Sequence, residues 1–193
     1  MIKNFIVIDD AIDNVYEFVE LSKKLEYHST ESFFIEGIKQ NHNIRNKPPP
    51  YWRGYRSDPI YQIDNELHIK TMNQIIYKIF GLYYFKYIAQ TYIHKTSKFL
   101  NNEQNTNKWH RDSENSIFAG VIFLNQNPPK NSGTSLEFDN KIISIKNQFN
   151  RLILYKSNIN HSPDNFFGDN IDNCRTTLTF FINELTINGK FND

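Results

Sequence analysis

The sequence predicts a mainly β domain with flanking helices, and three observations carry that expectation. From about residue 83 to 182, apolar, aromatic and β-branched residues recur in short runs broken by Asn, Pro and Gly, as in an antiparallel sheet protein. Before residue 82, two segments instead space their apolar residues at helical period. Aromatic residues make up 15% of the chain, with 16 Phe and 11 Tyr, which suits a β-rich core and an aromatic-lined pocket. At 193 residues without a break in composition, a single domain over 1–193 is expected: an N-terminal strand, helices and irregular loop (1–82), a sheet core (83–185) and a tail (186–193).

Taken in order, residues 4–8 (Asn-Phe-Ile-Val-Ile) read as a strand, and Asp9 and Asp10 cap a helix over about 11–27. Val15, Phe18, Val19, Ser22 and Leu25 supply its apolar face. Residues 28–62 are irregular. Pro48, Pro49 and Pro50 favour an extended polyproline segment, followed by Tyr51, Trp52, Arg53, Gly54, Tyr55 and Arg56. This stretch is either a substrate-facing loop or lid, or a segment that packs across the mouth or edge of the core. In the first case Arg53 and Arg56 suit contact with an acidic or phosphorylated substrate.

A second helix over 64–80, capped at Asp64 or Asn65 and closed by Gly81, carries the stripe Leu67, Met72, Ile75, Ile76 and Ile79. His68 on it reads as a surface or interface residue, because no second ligand stands at i+4. The two helices are expected to cover one outer face of the sheet. A strand then runs from 83 to 91 or a little beyond, with Phe85, Tyr87, Ala89 and Thr91 on one face and Gln90 and Tyr92 on the other. Residues 96–108 form a polar loop. Further strands follow at 116–125 and 134–138 around a turn at 127–133, then one from 151 that ends near His161, and a last at 175–182. Asn125 either lines the pocket or satisfies a turn.

Within this order, Lys108-Trp109-His110-Arg111-Asp112 sets an imidazole and a carboxylate two residues apart. On a strand, side chains at i and i+2 leave the same face roughly 6.5 Å apart, so both can lean onto one ion. His161 is the best third ligand, following the apolar run Arg151-Leu152-Ile153-Leu154-Tyr155 and preceding Ser162-Pro163-Asp164. Two histidines and one carboxylate with open positions opposite them make the facial triad of non-haem iron sites. The competing reading of so short a motif is a solvated loop, and the order of strands around it is what favours the metal. Trp109 is read as a packing residue that shields the site, with substrate stacking as the other role.

The succession His110, Asp112, spacer, His161, then Arg175 on the last strand resembles the 2-oxoglutarate- and Fe(II)-dependent oxygenase superfamily, most clearly over residues 85–185. The strand-then-helix opening looks like its prolyl-hydroxylase-like branch. The resemblance implies a double-stranded β-helix (jelly-roll, cupin-like) core with the N-terminal helices packed on one sheet. It implies Fe(II) on His110, Asp112 and His161, with 2-oxoglutarate and O2 as co-substrates. Arg175 would then hold the distal carboxylate of 2-oxoglutarate, for which a planar guanidinium fork is apt. Thr177 on the same strand face adds a hydroxyl. Tyr92 is either a further contact to 2-oxoglutarate or a plain core tyrosine, and His94 ranks below His110 because it lacks a paired carboxylate. Arg175 stands fourteen residues after His161, longer than the family's usual gap, so residues 164–173 make an extra loop. The competing reading of Arg175 is a surface cation paired with Asp169 or Asp172.

The implied reaction hydroxylates a substrate C–H bond while 2-oxoglutarate is converted to succinate and CO2. With the Asp112 carboxylate present, hydroxylation is expected over halogenation. The expected substrate is an amino-acid, peptidyl or small-metabolite group. Nucleic acid is argued against on two grounds. Lys plus Arg number 22 against 21 Asp plus Glu, and Phe181 stands where a nucleic-acid demethylase of the superfamily carries a second arginine. No run approaches the ~18 apolar residues of a membrane span, no signal-peptide profile precedes the first strand, and Cys174 is the single cysteine. A soluble cytoplasmic protein is the expectation. The alternative function is a cupin-like module that holds a metal and a sugar or small ligand without oxygenase activity.

Overall fold

The computed structural model describes residues 4–29, 52–81, 84–98, 109–112 and 114–188. The polyproline stretch, most of the polar loop at 96–108 and the end of the tail lie outside the described residues. The strands are β1 (Phe5–Ile8), β2 (Tyr55–Arg56), β3 (Tyr84–Thr96), β4 (Phe118–Phe123), β5 (Thr134–Phe138), β6 (Lys141–Ile145), β7 (Leu152–Lys156), β8 (His161–Pro163) and β9 (Arg175–Asn188). They form a six-stranded sheet in the order β1-β7-β4-β9-β3-β2 and a three-stranded sheet in the order β6-β5-β8. Every pairing is antiparallel.

Two apolar layers hold this arrangement. Between the sheets, Ala119, Val121, Phe123, Ile153 and Tyr155 of the large sheet pack with Leu136 and Ile145 of the small one. On the opposite face of the large sheet, Ile93, Leu178, Phe180 and Ile182 meet the helices α1 (Val15–Ser22) and α3 (Asn65–Phe80) through Phe18, Met72, Ile75 and Ile76. The short helix α2 (Ile60–Ile63) contributes the fully buried Ile60 to the same layer. The architecture is the expected jelly roll with helices on one sheet. Gly120 makes room in the outer layer: a Cβ there would meet the Ile153 carbonyl and the Phe180 ring, each at 2.5 Å.

Local signals placed α3 well. The Asp64 carboxylate accepts from Leu67 N at 2.9 Å, and Gly81 closes the helix at φ 80°. The first helix differs from the expectation: it starts only after Asn14, and Asp9 and Asp10 do not cap it. Asp9 instead takes the Arg151 guanidinium at 2.5 and 2.9 Å, and Asn14 donates its amide to Thr71 Oγ1 at 2.9 Å. Partners distant in sequence win these polar side chains from the helix terminus. His68 is not a surface residue: it is buried between α3 and the sheet, with Nδ1 2.9 Å from Thr91 Oγ1.

Three strand expectations also change. β6 had no counterpart in the sequence reading, β3 runs on to Thr96, and β9 runs on to Asn188. The register between β3 and β9 shifts between Ile88 and Ala89, leaving Asn183 opposite no residue of β3. His161 does not end the strand that precedes it. β7 stops at Lys156 and the chain crosses to the other sheet, where His161 opens β8. Among the described residues no helix is long and apolar enough to cross a membrane.

Candidate metal centre

His110 is bridged to His161, at the β8 edge of the small sheet. His110 N donates to His161 O at 2.9 Å and His161 N donates to His110 O at 2.8 Å, an isolated antiparallel bridge that brings the imidazole centroids to 4.3 Å. His110 and Asp112 therefore owe their common side to one bridge rather than to a continuous strand. Asp112 N donates to Ser157 O at 3.0 Å, which anchors the following turn of chain. One ligand atom from each of His110, Asp112 and His161 lies within 4.8 Å of the others.

The donor chemistry fits a divalent cation. His161 Nδ1–H donates to Ile159 O at 3.0 Å, which fixes the tautomer and leaves the Nε2 lone pair facing the cluster. Nε2 stands 3.6 Å from Asp112 Oδ2 and accepts from the Tyr155 hydroxyl at 3.0 Å. Burial pushes the His161 pKa down, against the attraction of Asp112 and with a smaller contribution from His110, so the ring holds its neutral, ligating form. Asp112 Oδ2 is sealed from solvent and has no hydrogen-bond partner. An orphaned buried carboxylate oxygen costs on the order of 1–3 kcal/mol or more, a cost that a cation at this point removes.

The triad opens into a cavity of about 870 Å³. Its floor is the inner face of β3 and β9, where register sets Thr96 opposite Arg175, His94 opposite Thr177, Tyr92 opposite Thr179 and Gln90 opposite Phe181. All eight line the cavity. Arg175 is 5% exposed, so it is not the surface cation of the competing reading. Its Nε donates to Ser132 O at 3.3 Å and its Nη2 to Thr134 Oγ1 at 3.1 Å, with the guanidinium 5.4 Å from the Phe123 ring centroid. Burial brings its pKa down to about 10, opposed by Asp164, so it remains charged at neutral pH. Asp169 pairs instead with Lys98. The extra loop is closed on itself, with Asn173 Oδ1 accepting from the backbone of Asp169 and Asn170.

The other singled-out residues separate into cavity and support. Thr177 is fully buried, its hydroxyl 3.3 Å from that of Thr179. Tyr92 faces the cavity and donates its hydroxyl to Gln90 Oε1 at 2.9 Å. His94 also faces it but is bonded to the Arg53 carbonyl and stands outside the triad. Asn125 is absent from the lining: it bonds Cys174 O at 2.9 Å and Thr176 N at 2.8 Å, satisfying the start of β9. Trp109 is half-buried. Sequence reasoning missed Tyr155, whose alternation with Ile153 on β7 was the available signal for an inward hydroxyl beside His161.

No protein-family model matches the sequence, and no curated protein matches it. Solved structures do. The chain is similar to an oxidoreductase of the 2OG-Fe(II) oxygenase family from Burkholderia pseudomallei, with a TM-score of 0.59 at 12% identity over 93% of this chain and 84% of that one. It is similar to the non-haem α-ketoglutarate-dependent carbocyclase SnoK of nogalamycin biosynthesis (TM-score 0.55, 10% identity, 98% and 84% of the two chains). A third is a Trichoplax adhaerens prolyl hydroxylase solved with a hypoxia-inducible-factor peptide fragment (TM-score 0.50, 12% identity, 94% and 84%). With its helix-backed sheet, its smaller facing sheet and its His110, Asp112 and His161 cluster, this chain has the double-stranded β-helix fold of the 2-oxoglutarate/Fe(II) oxygenases, including the prolyl hydroxylases.

Proposed function

We propose that this protein is an Fe(II)- and 2-oxoglutarate-dependent dioxygenase that hydroxylates a C–H bond of an amino-acid, peptidyl or small-metabolite substrate, the whole activity residing in one domain. One observation carries the reading: the partnerless Asp112 oxygen faces the lone-pair nitrogen of His161, in a cavity that also holds the buried guanidinium of Arg175. His110, Asp112 and His161 would hold the iron. When bound, iron and 2-oxoglutarate supply the activation of O2, with succinate and CO2 as co-products.

The protein residues bind, orient and exclude. Arg175 presents planar N–H donors to the distal carboxylate of 2-oxoglutarate, with the Thr177 hydroxyl beside it. Tyr92 adds a hydroxyl on the neighbouring strand. The Ile159 carbonyl keeps a proton on His161 Nδ1, so the ring cannot turn its lone pair away. Val121, Phe166 and Phe181 give the cavity apolar walls that limit water. A peptide accompanies the Trichoplax prolyl hydroxylase and a carbocyclase is among the similar structures, which supports both peptidyl and small-molecule substrates. The single, buried Cys174 suits the cytoplasm. The cupin-like alternative leaves the buried Arg175 without a role and is not favoured.

The test is anaerobic addition of Fe(II) and 2-oxoglutarate. A visible charge-transfer absorption of the chelated keto acid is expected, and His110→Ala should abolish it. A folded, iron-replete protein without that absorption would defeat the proposal.

A further inference from the structure

If the cavity takes iron and 2-oxoglutarate as proposed above, the described lining residues carry a positive excess. The metal dication, the Asp112 carboxylate, the Arg175 cation and the 2-oxoglutarate dianion cancel, and Arg56 is left over. The exposed Arg111 and the half-buried Arg53 line the same cavity.

Arg56 lies on β2, opposite His94 of β3, a register that turns its side chain to the cavity face. Its guanidinium carbon is 4.8 Å from the Trp52 ring centroid, 5.0 Å from that of Tyr92 and 5.7 Å from that of Phe181. Nε is sealed from solvent with no hydrogen-bond partner, and among the described residues the guanidinium makes no ion pair. Aromatic rings satisfy the faces of a guanidinium and leave its in-plane N–H donors unused. Those donors are what a carboxylate or phosphate oxygen pair takes. Burial opposes the charge, while Tyr92 and Asp112 favour it.

Arg175, which is buried, and Arg56, which is half-buried, sit against different rings. Arg175 lies over Phe123, which pairs with Thr177, whereas Arg56 lies over Phe181, four residues further along β9. Arg175 is bonded to Ser132 and Thr134 on the β5 side of the cavity, whereas Arg56 is held by the rings of Trp52 and Tyr92 on the β2 and β3 side. We propose that Arg56, in its cage of Trp52, Tyr92 and Phe181, is the specificity residue that binds an oxyanion of the substrate, so that the substrate is a small acid or phosphate ester rather than an uncharged residue within a peptide.

The test reads binding without turnover. Wild-type protein, with and without Zn(II) plus 2-oxoglutarate, is titrated in ligand-observed NMR with three pools: the common L-amino acids with short-chain carboxylic acids, small phosphate monoesters, and the matching amides, esters and alcohols. At least one acid or phosphate ester should bind about 30-fold or more tightly than its neutral counterpart, the size carried by charge-assisted hydrogen bonds. Arg56→Met should erase that preference while 2-oxoglutarate binding changes less than about twofold. Preference for the carboxylic acids or for the phosphate esters tells the two sources apart, and either supports the proposal.

Equal affinity for charged and neutral partners, or binding by no probe, overturns it. So does loss of 2-oxoglutarate affinity in Arg56→Met, which would give this cation to the co-substrate. If Arg56→Met does not fold, the charged-against-neutral comparison on wild type decides. Failure of the wild type to bind 2-oxoglutarate with metal sinks the dioxygenase reading instead, and the metal-free titration still decides the role of Arg56.

Discussion

On the face of β3 and β9 turned toward the helices, Ile93, Leu178, Phe180 and Ile182 are fully buried and apolar, beside a few buried polar residues such as Lys95, Thr176 and Thr91, the last bonded to His68. The residues that alternate with them on the other face are polar: Thr96, Arg175, Thr177 and Thr179, nearly as well buried, and the half-buried His94. One backbone thus carries two economies. The outer face gains stability from area removed from water, which needs no fixed partner. The inner face must satisfy each polar group singly; at Thr96 Oγ1 it does not, nor are Asp112 Oδ2 and Arg56 Nε, in the same cavity, satisfied. Groups left in that state cost stability, and they are where a metal or ligand has something to bind.

If the faces divide stability from binding in this way, substitutions should separate the two. The largest effect is expected outside. Phe180→Ala should destabilise by about 3–5 kcal/mol, read by urea denaturation, while the protein that remains folded at low temperature still binds 2-oxoglutarate with metal. Arg175→Met should do the converse. Its 2-oxoglutarate affinity should fall roughly 10- to 150-fold, the equivalent of about 1.5–3 kcal/mol for hydrogen bonds to charged groups, with metal affinity retained. A denaturation midpoint that drops as far as in Phe180→Ala would break the comparison.

A third prediction sharpens it through pH. Burial, reinforced by Arg56, brings the His94 pKa from 6.5 down to about 3. The unfolded chain therefore binds the proton more readily, so the neutral ring's contribution is complete above the unfolded pKa and is lost as pH falls toward the folded one. Between pH 7.5 and 5.5 that loss is about 1.4 kcal/mol, and His94→Gln should lessen the pH dependence of stability by that amount. The smallest effect is local and belongs to neither face: Asp64→Ala removes the cap of α3 and should cost about 1 kcal/mol in thermal unfolding, leaving metal and 2-oxoglutarate binding unchanged.

The structure also separates what was legible along the chain from what was not. The stripe of α3, the cap at Asp64, the strands around His110 and the inward turn of Tyr92 each follow from spacing within a few residues. The shortened α1, the unforeseen β6 and the burial of His68 do not. Each depends on a partner elsewhere, as when Asp9 is claimed by Arg151, 142 residues away. Arg175 stands between these cases. Its place on a strand could be read from alternation, but the choice between a surface cation and a buried guanidinium needed Ser132 and Thr134 to arrive beside it.

By itself, then, the sequence determined which residues could be ligands and, along β3 and β9, which side of the strand the cavity residues occupy, because side-chain direction follows from local backbone geometry. Only the tertiary structure decided that His110 is bridged to His161 of the small sheet, that Asp112 is left with an orphaned oxygen there, and that Arg56 reaches Phe181 from a distant strand. The physical reason is that strand pairing and desolvation are properties of segments brought together from far apart, and no spacing within one segment records them.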